Sequence, residues 1–414
     1  MIDAVSVAAV DAAVHGDEAS SLHGTYCFDA IPQTIRRLLL GGEAGGLPAS
    51  AVIDGAGAAR KVVLVWIDAF GWRFAERHAG HAFMQRVECA GVLAKLTSQF
   101  PSTTTAHATT LGSGLPVALH GMYEWYHYEP LVGRVICPLM HAIAGEEAGT
   151  LLMPGVALLP LPSFSAELKA AGVALTAVMP GAIIESLFTQ WETEGAQRLP
   201  LDSRADAIAA VMALRSMPAP SFGFVYLPEF DYVAHHEGPD SEAATAAAVR
   251  CLDLCEGLAG ALAGTGTTLL VTADHGMVLQ DVDATVYLDR AIPELLPLLE
   301  TGADGLPLPL AGSSRDGFLH VRPDHIDHAI GLLQAALHPD TTVVRTADLM
   351  AAGVFGADVG ERLRARVGSV TILPPPSQPV SWAGADGSYA SRLVAQHGGR
   401  LPDEVHIPFA SLVL

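Results

Sequence analysis

Five short apolar runs set the strongest limit on the fold: KVVLVWI (61–67), VALTAVM (173–179), FGFVYL (222–227), TLLVTA (268–273) and VTIL (370–373). Each is about one strand long and rich in β-branched or aromatic residues. None alternates apolar with polar, so each reads as a strand covered on both faces, the pattern of a parallel sheet. Ala/Leu-rich stretches with helical spacing, such as 204–217 and 241–264, lie between them. Strands alternating with helices argue for an α/β fold, a central, mostly parallel sheet flanked by helices. Over 281–369 the pattern changes: Pro and Gly cluster in ELLPLLETGADGLPLPLAGSS, followed by strand-like GFLHV and helix-like DHIDHAIGLLQAAL. This stretch is expected to form a smaller inserted α+β subdomain, with residues 1–280 and 370–414 forming the core.

Charge narrows the partners. The 414 residues carry a formal net charge of −21, the opposite of the basic face that a nucleic-acid polymer requires. No run approaches the ~18 uninterrupted apolar residues of a membrane span. The first residues carry Asp3 and Asp11 and no Lys or Arg before Arg36, the wrong charge for a signal or transit peptide. The five cysteines (Cys27, Cys89, Cys137, Cys251, Cys255) contain no CxxC pair and read as reduced thiols. A cytoplasmic protein acting without a membrane is expected. Its oligomeric state is not legible.

Three of the strand candidates run into acidic residues. KVVLVWI leads to Asp68, FGFVYL passes through Pro228-Glu229-Phe230 to Asp231, and TLLVTA leads to Asp274-His275-Gly276. A single such Asp is more often a turn or helix cap. In an open parallel sheet, however, the carboxyl ends of the strands converge on the ligand-binding edge, so the three should meet. Two of them bring a histidine, and carboxylate plus imidazole is a donor set for zinc and similar divalent ions. Asp231 and His235, four apart, share one face of a helical turn, which leaves His236 pointing away. Asp274 and His275 are adjacent and can share a site on a loop. His23, His78, His81, His325 and His328 read as solvated.

The segment SQFPSTTTAHATTLGSGLPVALHGMYEWYHYEP (98–130) opens like a helix at Pro101-Ser102 and closes near Gly112 and Gly114. A hydroxyl at a helix N-terminus feels the positive end of the dipole, which favours its alkoxide and a bound phosphate. For Ser102, Thr103 and Thr105 the N-capping role is the better reading. His107 reads as structural.

Taken together these elements resemble the alkaline phosphatase superfamily, and within it the nucleotide pyrophosphatase/phosphodiesterase-like branch. The branch's FPTxTxPxH…TG…HG is followed by FPSTTTAHATTLGSG…HG, with Phe100-Pro101, Gly114 and His120-Gly121 in place. DxxGHxxGP appears as Asp231-Tyr-Val-Ala-His235-His-Glu-Gly238-Pro239, and DHGM as Asp274 to Met277. DAFGW supplies Asp68, and QHGG supplies His397-Gly398. The resemblance covers residues 61 to 408, five motifs in order. Two departures stand out: Tyr123-Glu124-Trp125 replaces a segment in which relatives place an asparagine on a phosphate oxygen, and Ala106-His107-Ala108 replaces PNH.

The resemblance implies two divalent metal ions, most often Zn2+. One would be held by Asp231, His235 and His397. The other would be held by Asp68, Asp274 and His275 together with Thr104, whose hydroxyl is the nucleophile and passes through a phospho-threonine intermediate. A small phosphate ester is the implied substrate. No Lys or Arg lies between Lys95 and Arg134, whereas four aromatics (Tyr123, Trp125, Tyr126, Tyr128) follow the nucleophile closely. Tyr123 and Trp125 are candidate substrate contacts, by stacking on a base or an aromatic leaving group. This favours a phosphodiesterase or nucleotide pyrophosphatase over a phosphomonoesterase or phosphonate hydrolase, with Arg73 and Arg315 as cations from elsewhere in the chain. A phosphotransferase or mutase on the same scaffold, and a binding protein that kept the metal cage, are the further alternatives. Threonine at the nucleophile position argues against a sulfatase, which needs Cys or Ser there.

Overall fold

In the computed structural model seven strands form one sheet. We label them in chain order β1 (Lys61–Ile67), β2 (Val92–Thr97), β3 (Ala174–Met179), β4 (Gln197–Pro200), β5 (Ser221–Leu227), β6 (Thr267–Thr272) and β7 (His406–Val413). The structure describes residues 1–14, 22–42, 45–53, 60–151, 154–160, 162–384, 387, 389 and 392–414. The spatial order is β2-β7-β6-β1-β5-β3-β4. β6, β1, β5, β3 and β4 run parallel, while β7 is antiparallel to both β2 and β6. The central strands are apolar throughout because both their faces are covered: six of the seven residues of β1 and all six of β6 are buried. The long helix Glu242–Leu262 supplies part of that cover, burying Ala247, Cys251, Leu258 and Leu262 on one stripe. Ser241 caps it, accepting from the Ala244 N–H at 3.0 Å.

A second sheet has four short strands, in the order 311–312, 317–319, 370–373, 342–345, all antiparallel. With the helix Ile326–Ala336 it encloses a separate apolar cluster that includes Leu295, Leu319, Leu333 and Ile372. Val370–Leu373 therefore leaves the central sheet, where its apolar run suggested it would lie, and pairs with Thr342–Arg345 and Gly317–Leu319 instead. A four-residue buried run has the same composition in either setting, so periodicity could not place it.

The antiparallel strand β7 determines which loops meet. Its entry end, His406, pairs with Thr97, the last residue of β2. The loop leading into β7 thus comes to the edge where the parallel strands end, beside the chain leaving β2 toward Thr104. Among the described residues no helix is long and apolar enough to cross a membrane. All five cysteines are free, and Cys89 alone is exposed.

Burial holds His107 and His320 neutral, lowering each to about 4. The unfolded chain takes up these protons near pH 6.5 and the folded chain only near 4, so the native state loses stability as pH falls across that window. We expect Tm to fall between pH 6.5 and 4, with a shallower slope in His320→Asn. An unchanged slope would assign the acid sensitivity to other groups.

Candidate active site

Each site residue sits where a regular element ends. β1 stops at Ile67, and Asp68 follows with 1% exposure. Ala69 then takes a left-handed turn (φ 59), unusual for a residue with a Cβ, and its N–H donates to Asp274 Oδ1 at 3.1 Å. Asp274 and His275 lie fully buried on the loop after β6. The helix Glu229–Glu237 opens just after β5 and carries Asp231 and His235 one turn apart. His236 is exposed, its Nδ1 on the Tyr232 carbonyl.

The helix Thr104–Ser113 starts at the same edge. Thr103 is its cap, accepting from the Ala106 N–H at 3.5 Å and donating to the Tyr123 carbonyl at 3.1 Å. Thr104 is the first helical residue. Its Oγ1 lies 3.2 Å from His275 Nε2 and 3.5 Å from Asp68 Oδ1. His107 is structural: its Nδ1 bonds the Thr103 carbonyl, and its Nε2 meets Ser98 Oγ and the Gln99 N–H. Ser102 is a clamp and not a cap. Its hydroxyl donates to the Gly399 carbonyl at 2.9 Å and accepts from the Gly398 N–H at 3.1 Å, which ties the start of the Thr104 helix to the His397 loop.

Two groups of ligand atoms result, Asp68/Asp274/His275 and Asp231/His235/His397, each with its atoms within 4.8 Å of one another. The histidine tautomers are fixed by their neighbours. His235 Nδ1 lies 2.8 Å from the Ala395 carbonyl, His275 Nδ1 3.0 Å from that of Gly276, and His397 Nδ1 2.9 Å from that of Ser102. A carbonyl can only accept, so each Nδ1 carries a proton, and in the neutral ring Nε2 offers its lone pair. His235 Nε2 then faces Asp231 Oδ1 at 3.2 Å, and His275 Nε2 faces Asp274 Oδ2 at 3.0 Å. Both carboxylate oxygens are buried without a hydrogen-bond partner. A neutral Nε2 against a carboxylate is repulsive, and either a proton or a divalent cation between the two atoms relieves it; carboxylate plus imidazole is a donor set that fits divalent metal ions.

The electrostatics divide: burial opposes charge on His235 and His275, but Asp231 and Asp274 raise them above the usual imidazole value. Burial pushes Asp68 well above the usual carboxylate range, and Asp274 and Asp231 add to the push. Burial likewise holds His397 well below the usual imidazole value, with His275 and His235 acting in the same direction. The His275 and His397 rings stack at 3.6 Å between centroids, joining the two groups.

Thr104 stands where two cavities meet. One, of about 580 Å³, is lined by Glu124, Tyr126, Ser313, Trp382 and Tyr389. The other, of about 550 Å³, is lined by Leu139, Met140, Met179, Phe188 and Tyr226. Trp125, 39% exposed, borders both. Tyr123 does not reach them: it is fully buried, packed edge-on to Phe318, with its hydroxyl on the Arg366 carbonyl. The aromatic spacing did not reveal which of these rings turn inward. Among the described residues no Lys or Arg lines either cavity. Arg73 is bound to Asp240 and the Met277 carbonyl. Arg315 is buried in a pair with Glu404, whose carboxylate also accepts from the Gly399 N–H and so braces the His397 loop.

Two residues join the site that the motifs did not single out. Tyr226 donates its phenol to Asp68 Oδ2. It is the one polar side chain in FGFVYL, a signal the sequence carried. Glu124 is 1% exposed beside Thr104; burial pushes it up to about 8, and burial together with Glu124 lifts Asp316 well above the carboxylate range.

The sequence model of type I phosphodiesterase / nucleotide pyrophosphatase matches residues 62–381. No curated protein sequence matches. Murine ectonucleotide pyrophosphatase / phosphodiesterase 5 superposes with a TM-score of 0.62 at 19% identity, over 85% of this chain and 88% of its own. An inactive variant of that murine protein in complex with AMP gives 0.61, also at 19% identity, over 85% and 87% of the two chains. Phosphonoacetate hydrolase from Sinorhizobium meliloti 1021, in complex with phosphonoacetate, gives 0.58 at 18% identity, over 86% and 90%. The matched residues include β2 to β6, nearly all of β1, the second sheet and the site residues from Asp68 to His275, while His397 and β7 lie beyond residue 381. The chain therefore belongs to the type I phosphodiesterase / nucleotide pyrophosphatase family of the alkaline phosphatase superfamily, divalent-metal-dependent hydrolases of phosphoric esters.

Proposed function

We propose that the protein is a phosphodiesterase or nucleotide pyrophosphatase in which Thr104 attacks phosphorus and is transiently phosphorylated. The observation that carries this reading is the placement of Thr104 at the junction of two cavities free of Lys and Arg among the described residues. A diester has two substituents to house and one negative charge. A dianionic monoester, or a phosphonate bearing a carboxylate, would call for a cationic side chain in the pocket. AMP bound to the murine relative's inactive variant supports a nucleotide on one side. A reducing, cytoplasmic setting suits the five free thiols.

Asp68, Asp274 and His275 would hold one divalent ion, zinc by donor type, and Asp231, His235 and His397 the second. When bound, the pair lowers the pKa of the threonine hydroxyl and offsets charge on the phosphoryl oxygens. The chain does the rest. The helix that begins at Thr104 turns its positive end toward the phosphoryl group. Tyr226 holds Asp68 in one orientation. Glu124, neutral at pH 7, can donate its carboxyl proton in a hydrogen bond to a phosphoryl oxygen, the contact an amide would otherwise make. The ester oxygen leaves into one cavity while the retained group stays in the other. Water then frees phosphate monoester from Thr104.

Bis(p-nitrophenyl) phosphate should turn over faster than p-nitrophenyl phosphate, and Thr104→Ala should abolish both. Faster monoester turnover would overturn the diester preference, and a rearranged ester in place of released product would point to a transferase. For Glu124, the donor role predicts that activity falls as pH rises through about 8. Glu124→Gln should keep most activity and flatten that limb, while Glu124→Ala should lose about 10²-fold, as for a lost charge-stabilising donor. Metal analysis should find His397→Ala one ion short of wild type; unchanged metal content would break the Asp231/His235/His397 grouping.

A further inference from the structure

A third cluster of metal-type ligands lies away from Thr104. His23, Cys27 and Asp29 fall within seven residues, and their ligand atoms all lie within 4.8 Å of one another. His23 Nδ1 is 2.8 Å from Asp29 Oδ2 and 3.9 Å from Cys27 Sγ. Asp29 uses its other oxygen, Oδ1, to accept from the Gly24 N–H at 2.8 Å, which fixes the carboxylate with Oδ2 turned toward the imidazole and the thiol. Read as solvated from the sequence, His23 is in fact largely covered, its side chain 16% exposed and that of Asp29 5%. Cys27 is 1% exposed.

We propose that His23 Nδ1, Cys27 Sγ and Asp29 Oδ2 bind a third divalent ion of the zinc type, a structural site separate from the two catalytic groups. Tetrahedral zinc with ligands at about 2.0–2.3 Å places neighbouring donors roughly 3.3–3.5 Å apart. The separations of 2.8 and 3.9 Å straddle that value, so closing around an ion needs shifts of about half an ångström. Thiolate, imidazole and carboxylate together select zinc-like ions over magnesium or calcium. All three ligands fall within seven residues, so the chain entropy of assembling them is small. The partly exposed His23 marks the side from which the ion enters and from which water completes the coordination. Binding releases the Cys27 thiol proton to solvent and leaves His23 neutral with its proton on Nε2, with no change of oxidation state.

The loop is well placed to matter. Cys27 bridges to Thr97 at the end of β2, and Phe28 sets its ring edge-on to His107 at 4.6 Å. His107 in turn holds the carbonyl of Thr103, the residue before the nucleophile. An ion at 23/27/29 therefore stiffens the support beneath the start of that helix without touching the substrate.

The test uses the whole protein, stripped with a chelator and reloaded with Co2+ alone. Neither catalytic group contains cysteine, so a thiolate-to-cobalt charge-transfer band in the near ultraviolet reports this site and is independent of the catalytic assignment. The wild type, and Cys89→Ser as a control for the exposed thiol, should show the band. Cys27→Ser should lose it together with one equivalent of bound metal. His23→Ala, a change at a partly exposed side chain, should also bind one equivalent less while keeping the native circular dichroism, and it decides the matter should Cys27→Ser fail to fold. No thiolate band in the loaded wild type, a band that survives Cys27→Ser, or unchanged metal content in His23→Ala would each overturn the proposal.

Discussion

Asp68, Asp231 and Asp274 bring three carboxylates to one edge of the sheet, and among the described residues their ion-pair partners are histidines alone. Burial disfavours a charged imidazole, yet Asp231 raises His235 and Asp274 raises His275, so these rings can take a second proton on Nε2 while Nδ1 stays on its backbone carbonyl. The polypeptide has thus gathered carboxylates at a cost that positive charge offsets, whether a second proton on an imidazole or a metal ion. Desolvated like charges are costly. Much of the surrounding structure, from the Ser102 clamp to the buried Arg315–Glu404 pair, holds the ligands against their tendency to separate.

Topology makes that convergence possible. Parallel strands deliver their carboxyl ends to one edge, which accounts for Asp68, Asp231 and Asp274. It does not account for His397. The reversed strand β7 does, because its amino-terminal end lies where its neighbours' carboxyl ends lie, and the loop entering it can reach the same spot. One strand running the wrong way is what lets a distant segment complete the second group of ligands.

Much of this was legible in the amino-acid order. Runs covered on both faces announce the parallel sheet, and the acidic residues after them announce its functional edge. Identity of chemical type at strand ends survives folding because backbone geometry places those positions directly. What stayed hidden depends on long-range packing. Val370–Leu373 has the composition of a central strand but pairs in the smaller sheet. Tyr123 and Trp125, two positions apart, end up respectively buried in an aromatic cluster and bordering both cavities. Glu124 between them is a charged residue by formula and a neutral acid by environment, which no local pattern can state.

The order of the ligands along the chain has a consequence for synthesis. Asp68, Asp274 and His275 are all present once β6 and its loop have emerged, so the first group can close early. Asp231 and His235 must wait for His397, which follows the whole of the second sheet. A nascent chain therefore passes through a stage with one set of ligands complete and the other open. With Asp231, His235 and His397 holding an ion as proposed, hydrolytic competence would arrive late, only when β7 is ready to take its place between β2 and β6.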